Sequence, residues 1–494
     1  MFDIFGQLLH NLTQFKSWFF MVNEQSLAMH VFTQDLRLSD NPSLFHAAKM
    51  GKVWPVFIID FDDDPFPMGE AGRWWLYQSL QDLKVRLNGN LSVFTGSFSS
   101  VVLDLVKRFP VSGVFWNHRY DAYHRGQAKL LTQALQQQGI AARSFNGSLL
   151  WEPWSVKKDD GTPYKVFTPF YRKGCLKGHT LPRAVEQAPS AIDCVDIEGL
   201  DPGLALDASG ILPSHPWHEK LHQSWTVSEK AAHACLEHFL QEGISDYKRG
   251  RDFPAQKHVS RLSPYLRHGN VSVSQVFEAV HRLPEDANTD HFKSELGWRE
   301  FAYYLLYHFS DLPHANLQKK FDGFEWTQDH QVLKRWQKGQ TGIPIVDAGM
   351  RQLYETGYMH NRLRMIVGSF LVKNLGHHWI EGEKWFRHCL VDHDLASNSA
   401  GWQWVAGTGT DAAPYFRIFN PVAQGQRFDA SGAFTRAFVP ELARMPDAFL
   451  FNPWDAPLLV LQEAGVELGV NYPHPMVDLK ESRETALERF KKLK

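Results

Sequence analysis

Short apolar runs and amphipathic stretches alternate along the first third of the chain. From residue 27 the runs "LAMHVF", "VWPVFIID", "LSVFTG" and "VSGVFWN" read as β-strands: they are short, and rich in β-branched and aromatic side chains. Around them, "RWWLYQSLQDLKVRL", "VVLDLVKRF" and "QAKLLTQALQQQG" carry the three-and-four spacing of helices. This alternation predicts a Rossmann-like parallel sheet, covered on both faces, over residues 27–155. No G-x-G-x-x-G follows the first strand, so the usual dinucleotide fingerprint is missing, and Asp40-Asn41-Pro42 marks the first helix start. Residues 156–225 are rich in Pro, Gly and charge with little periodicity, which predicts an interdomain connector. From 226 to 494 the helical period dominates, so the fold class is α/β followed by an all-α domain. The opening residues 1–26 are apolar but broken by Asp3, His10, Asn11 and Lys16. They read as an N-terminal extension, with Met21 or Met29 as the biological start, and not as an export signal.

Composition changes this picture little. Lys+Arg number 52 against 54 Asp+Glu, a net charge of −2, so any nucleic acid must be held by a local patch. Cys175, Cys194, Cys235 and Cys389 form no C-x-x-C pair, which argues against zinc, an iron–sulfur cluster or a disulfide framework and suits a reducing cytoplasm. No apolar run reaches membrane-spanning length. The unusual count is aromatic: 17 Trp and 35 Phe, most of them expected as core.

Three segments of the helical half carry candidate chemistry. In "YKRGRDFPAQKHVSRLSPYLRHGNVS", Ser263-Pro264 reads as a helix start with Ser as cap. Together with Ser260 it gathers hydroxyls and free N–H groups, suited either to plain capping or to an anion such as a pyrophosphate. In "TGYMHNRLRMIVGSF", Met359, Leu363, Ile366 and Phe370 share one helical face, with Val367 at its margin. Asn361, Arg364, Met365 and Gly368 share the other, a combination that suits a cavity wall better than a solvated surface. The third segment, "VDHDLASNSAGWQW", sets Asp392, Asp394 and Asn398 before Trp402 and Trp404. An ordinary helix cap explains it, and so does a pocket for a flat redox ligand. Two buried aspartates need a partner, and Arg364 is the natural one.

Taken together the segments resemble the photolyase/cryptochrome family. The resemblance rests on "GQTGIPIVDAGMRQLYETGYMHNRLRMIVGSFLVKNL" and "DHDLASNSAGWQWVAGTGTDAAPYFRIFNPVAQGQRFD", with "RDFP", "SRLSPYLRHGN", "WREF" and "YPHPMVDLKESRETAL" around them, and covers nearly the whole chain from about residue 27. It implies an N-terminal antenna domain and a helical domain that holds FAD in a U shape, reduced to FADH⁻ when active. By motif match Tyr247, Val259, Ser260, Arg261, Leu262 and Ser263 would surround the phosphates and ribityl chain. Arg299, Arg364, Asp392 and Asp394 would complete the cofactor site, and Asn398 would face flavin N5. Trp402, Trp379 and Trp326 match the family's electron relay.

For the substrate, the resemblance assigns Glu295, Trp298, Asn361, Met365 and Trp404 to a pocket for a flipped pyrimidine dimer, which regains against indoles the stacking it loses in the duplex. Glu295 would donate to a carbonyl if protonated, or accept from an N–H if ionised. Arg251, Arg362, Arg417 and Gln424 match positions at the DNA face. The reading is therefore light-dependent repair of cyclobutane pyrimidine dimers in UV-damaged DNA by a monomer, with no metal. Asn361 and Met365 stand where (6-4) enzymes place histidines, so (6-4) repair ranks behind. The rival class is a cryptochrome photoreceptor, disfavoured by Asn398, by the lesion pocket and by a chain that stops soon after "YPHPMVDL". The antenna chromophore is expected to be methenyltetrahydrofolate ahead of 8-hydroxydeazaflavin or FMN. Departures from the family pattern are Thr33-Gln34 after the first strand, Tyr123-His124, Val259 and Gly297.

Overall fold

The computed structural model describes residues 26–189, 191–212 and 217–493. The extension expected over residues 1–26 lies outside them except for Ser26. Strands β1 (Leu27–Phe32), β2 (Lys52–Ile59), β3 (Ser92–Thr95), β4 (Val111–Asn117) and β5 (Ala141–Phe145) form one parallel sheet in the order β3-β2-β1-β4-β5. All six side chains of β1 are buried because helices cover both faces. Period-2 alternation sorts them into two cores: Ala28 and Phe32 pack with Leu44 and Leu80, while Met29 and Val31 pack with Trp54 and Val114. The first helix, Pro42–Met50, begins where expected, with Asn41 as cap accepting from the Leu44 N–H. The fifth strand has no apolar run to announce it: "AARSF" lies at the sheet edge and none of its residues is fully buried.

The last strand ends at Phe145, and the aperiodic connector packs back on the sheet. Asp193 and Val195 bond the backbone of Val53, and Leu204 that of Val93, while Ile197, Leu206 and Ile211 enter the two cores. Polar clamps fix the α/β layer to the helices. Buried Arg37 donates to the carbonyls of Asp40 at 2.7 Å, Gly147 at 2.8 Å and Gly269 at 3.1 Å. Buried Glu300 accepts from the N–H groups of Leu150 and Trp151 at 2.7 and 3.2 Å. The helices Ala287–His308, Asn361–Ser369, Trp379–Cys389 and Leu395–Ala406 then close around a large cavity.

A separate crevice lies at the carboxyl ends of β1, β2 and β4, where an open sheet reverses its strand order and ligands commonly bind. Thr33, Gln34, Asp60, Arg119 and His124 line it. Asp60, Asp64 and His124 come close enough to suggest a cation, but His124 bonds Asp121 at 2.7 Å and Asp60 at 2.8 Å through its two ring nitrogens. Burial and Arg119 work against its proton, yet these carboxylates prevail and raise its pKa. Both ring nitrogens are thus already taken by carboxylates.

Candidate FAD and DNA-lesion site

The cavity measures about 560 Å³, and a second lobe of about 230 Å³ shares Ser263, Arg364 and Asp392 with it. Ligand cavities commonly run to roughly 300–1,000 Å³. Tyr247, Val259, Ser260, Arg261, Leu262 and Ser263, expected around the phosphates, all line the smaller lobe. One detail differs from expectation. Ser263 does not cap its helix; it is the first helical residue, and its hydroxyl donates to Asp392 Oδ2 at 2.7 Å. The turn that delivers it is held by Arg261 at φ 52°, stacked over Trp225 at 4.1 Å.

Arg364 meets Asp392 Oδ2 at 2.7 Å, as its shared cavity face predicts. The other oxygen, Asp392 Oδ1, is buried with no protein partner. A buried carboxylate oxygen left open at the junction of two lobes fits a ligand hydroxyl, and this observation supports a polyhydroxylated cofactor such as FAD here. Asp394 answers both readings of its segment: it lines the cavity and caps the Leu395–Ala406 helix, accepting from the Ser397 N–H at 2.8 Å. Burial would raise its carboxyl, but Arg267, the Tyr303 hydroxyl at 2.5 Å and Arg299 hold it below the usual range. Asn398 lies one turn further on the same helix, at the cavity wall.

The Asn361–Ser369 helix presents Asn361, Arg364 and Met365 to the cavity and buries Leu363, Ile366 and Val367 behind. Gly368 packs against Val405, whose Cγ1 lies 3.2 Å from where a Cβ would sit, with the Trp402 ring in ordinary contact at 3.5 Å. Trp402 is 3% exposed and lines the cavity floor. Gly382 touches that ring so closely that no side chain fits there. Trp379, three residues earlier on the same helix, is fully buried, and His378 stands between it and the half-buried Trp326 at 5.4 and 4.9 Å.

At the cavity mouth stand Glu295, Trp298 and Trp404, half-buried, and the exposed Asn361. Trp298 stacks on Phe167 at 3.8 Å between ring centres, a partner hidden in the aperiodic connector. Gly297, a departure from the family pattern, is explained by Tyr171: its ring comes within 2.6 Å of where a Cβ would be. The expected DNA-face cations divide. Arg251 is mostly buried and ion-paired with Glu295, so it is not a free surface charge, and Arg362 pairs with Asp252 at 2.6 Å. Arg417 is exposed and Gln424 half-buried. Sequence reasoning also missed Tyr303 and His393, whose neighbours appear only once the helices pack, and the Glu383–Arg387 pair, which its i,i+4 spacing on one helix could have signalled.

A doubly wound sheet joined to helices around such a cavity defines the photolyase/cryptochrome class of flavoproteins, and the chain belongs to that family. Residues 28–190 match the DNA photolyase family, and residues 292–492 the FAD binding domain of DNA photolyase. A deoxyribodipyrimidine photo-lyase of Agrobacterium fabrum is 43% identical over 471 residues, 94% of this chain and 97% of that one. Cryptochrome-2 of Arabidopsis thaliana is 36% identical over 92% of this chain and 77% of its own. Among solved structures, a bacterial class III photolyase from Agrobacterium tumefaciens superposes with a TM-score of 0.90 at 41% identity, covering 95% of this chain and 98% of that one. An archaeal photolyase from Sulfolobus tokodaii, solved with two FAD molecules, gives 0.77 at 26% identity over 94% and 99% of the two chains. Among the described residues no helix is long and apolar enough to cross a membrane.

Proposed function

We infer that this chain is a DNA photolyase that splits cyclobutane pyrimidine dimers in light. The observation that carries the reading is the layering of one cavity: a polar floor of buried Asp392 and Asp394 with half-buried Asn398, and an open mouth of Trp298, Trp404, Asn361 and Glu295. Bound reduced FAD supplies the photoexcited electron donor. The protein's part is to hold donor and lesion together and to exclude water between them.

Arg364 and Asp392 anchor the cofactor at the junction of the lobes, with Ser260 and Ser263 toward its phosphates. Trp298, backed by Phe167, and Trp404 offer flat faces to the two flipped bases, and Met365 fills the gap between helix and ring. Glu295, ion-paired with Arg251 at the mouth, is the acceptor for an N–H on the pyrimidine edge. Arg417 and Gln424 meet the DNA backbone. Trp402, Trp379 and Trp326 would pass electrons inward to an oxidised cofactor. The sheet-end crevice would be the place for an antenna chromophore, with methenyltetrahydrofolate ahead of 8-hydroxydeazaflavin or FMN.

The test is to give the photoreduced protein separate oligonucleotides holding one cyclobutane dimer or one (6-4) product, in light and in darkness. Loss of the cyclobutane dimer in light alone is expected. Repair of only the (6-4) product, or FAD binding without repair of either, would overturn the assignment, the latter in favour of a photoreceptor.

A further inference from the structure

The Asn398 amide is oriented by a residue that the cavity does not contain. Its Nδ2 donates to Glu383 Oε1 at 3.0 Å and to the Glu383 carbonyl at 3.2 Å. Both partners are acceptors only, so a flipped amide would press Oδ1 against a carboxylate and a carbonyl oxygen. Glu383 is fully buried, and Arg387 Nη2 holds its other oxygen at 2.6 Å. His393 Nε2 stands 3.6 Å from Oε1, and neither of its ring nitrogens has a hydrogen-bond partner. Against burial, these two neighbours keep the Glu383 carboxyl below its usual range. Glu383 is thus a fixed anion, and with both amide hydrogens engaged Asn398 has only its oxygen left for the cavity.

We propose that Glu383 is a positioning residue that sets the flavin's resting oxidation state by locking Asn398 as an acceptor toward N5. The proposal rests on the flavin reading above. Reduction of FAD by two electrons and one proton gives FADH⁻, and that proton sits on N5, where it donates to Asn398 Oδ1. Oxidised N5 carries a lone pair instead and faces the same oxygen unfavourably. An amide locked in this sense therefore favours the reduced cofactor that repair requires, and its effect is carried by geometry, not by a charge next to the flavin.

The test uses Glu383→Gln in the FAD-loaded protein, with dithionite as reductant and air as oxidant. A glutamine there, its oxygen kept by Arg387, turns an N–H toward Asn398 and leaves only the backbone carbonyl of residue 383 to hold the amide, so the lock is weakened. Reoxidation of the reduced flavin in air should accelerate about tenfold and the midpoint potential should fall, with FAD content and helical circular dichroism unchanged. Asn398→Ala should show the same acceleration, and the double variant no more than Asn398→Ala alone. Wild-type reoxidation in Glu383→Gln would overturn the proposal, as would a further acceleration in the double variant, which would mean that Glu383 acts on the flavin without Asn398. Should Glu383→Gln fail to fold, Glu383→Asp, which offers acceptors only, is expected to reoxidise like wild type, and tenfold acceleration there is equally contrary. Wild-type protein that binds no FAD would instead bring down the reading beneath.

Discussion

At the scale of single residues the site turns on a carboxylate that is buried only because it is paired. Arg364 and Asp392 form such a pair, and truncating one member strands the other. Arg364→Met is expected to weaken FAD binding about 100-fold, equivalent to roughly 2.7 kcal/mol at about 1.4 kcal/mol per decade, measured by fluorescence as free FAD is titrated into apoprotein. Unchanged affinity would place the cofactor elsewhere. Trp402 separates recharging from repair: Trp402→Phe keeps an aromatic ring, though a smaller one, and raises the energy needed to remove an electron. Photoreduction of oxidised flavin should slow at least about tenfold, while chemically reduced protein repairs at close to the wild-type rate; equal photoreduction would exclude Trp402 from the relay. These residues were legible as types. The Asp-Arg need, the cavity stripe of Asn361, Arg364 and Met365, and the double use of Asp394 all follow from spacing and burial cost. Arg251 was not: its pairing with Glu295 joins positions far apart in the chain, so a sequence shows only a cation of unknown exposure.

At the scale of elements, the helix Asn361–Ser369 carries much of the lesion pocket and is capped by His360, whose Nδ1 accepts the Arg362 N–H at 3.2 Å. Burial, aided by Arg251, lowers His360 to about 4 from an ordinary 6.5. The folded chain therefore resists a proton that the unfolded chain accepts, so stability is full above pH 6.5 and falls as the pH drops toward about 4. This one group is worth at most about 3 kcal/mol over that window. His360→Asn, which caps without titrating, should flatten thermal stability across pH 6.5 to 4; a wild-type slope in that variant would assign the acid sensitivity to other groups. The connector turn that brings Phe167 behind Trp298 is a second element-scale device. Phe167→Ala should weaken binding of a dimer-containing oligonucleotide about tenfold, near the 0.5–1.5 kcal/mol of an aromatic pair, with FAD content unchanged. Loss of FAD instead would make Phe167 a core residue only. The four apolar strands and the long helices were legible because their periods repeat. The edge strand Ala141–Phe145, the packed connector and the true role of Ser263 were not, because each is decided by a neighbour distant in sequence.

At the scale of the whole molecule, two cavities share one wall. His393 and Asp394 line both the sheet-end crevice and the helical cavity, so an occupant of the crevice would sit within a residue or two of the FAD site. Buried clamps at Arg37 and Glu300 hold the two layers in that relation. In the proposed reaction an electron lent to the dimer would return once its ring has opened, so repair would consume no reductant and the same flavin would serve again. Turnover under single-lesion conditions tests this most directly. Protein carrying one reduced FAD is mixed without air with an excess of an oligonucleotide holding one thymine dimer, then illuminated with blue light and no further reductant. Many dimers restored per flavin, with the flavin still reduced at the end, is the expected result. Restoration that stops at one dimer per flavin, or that never begins, would contradict it.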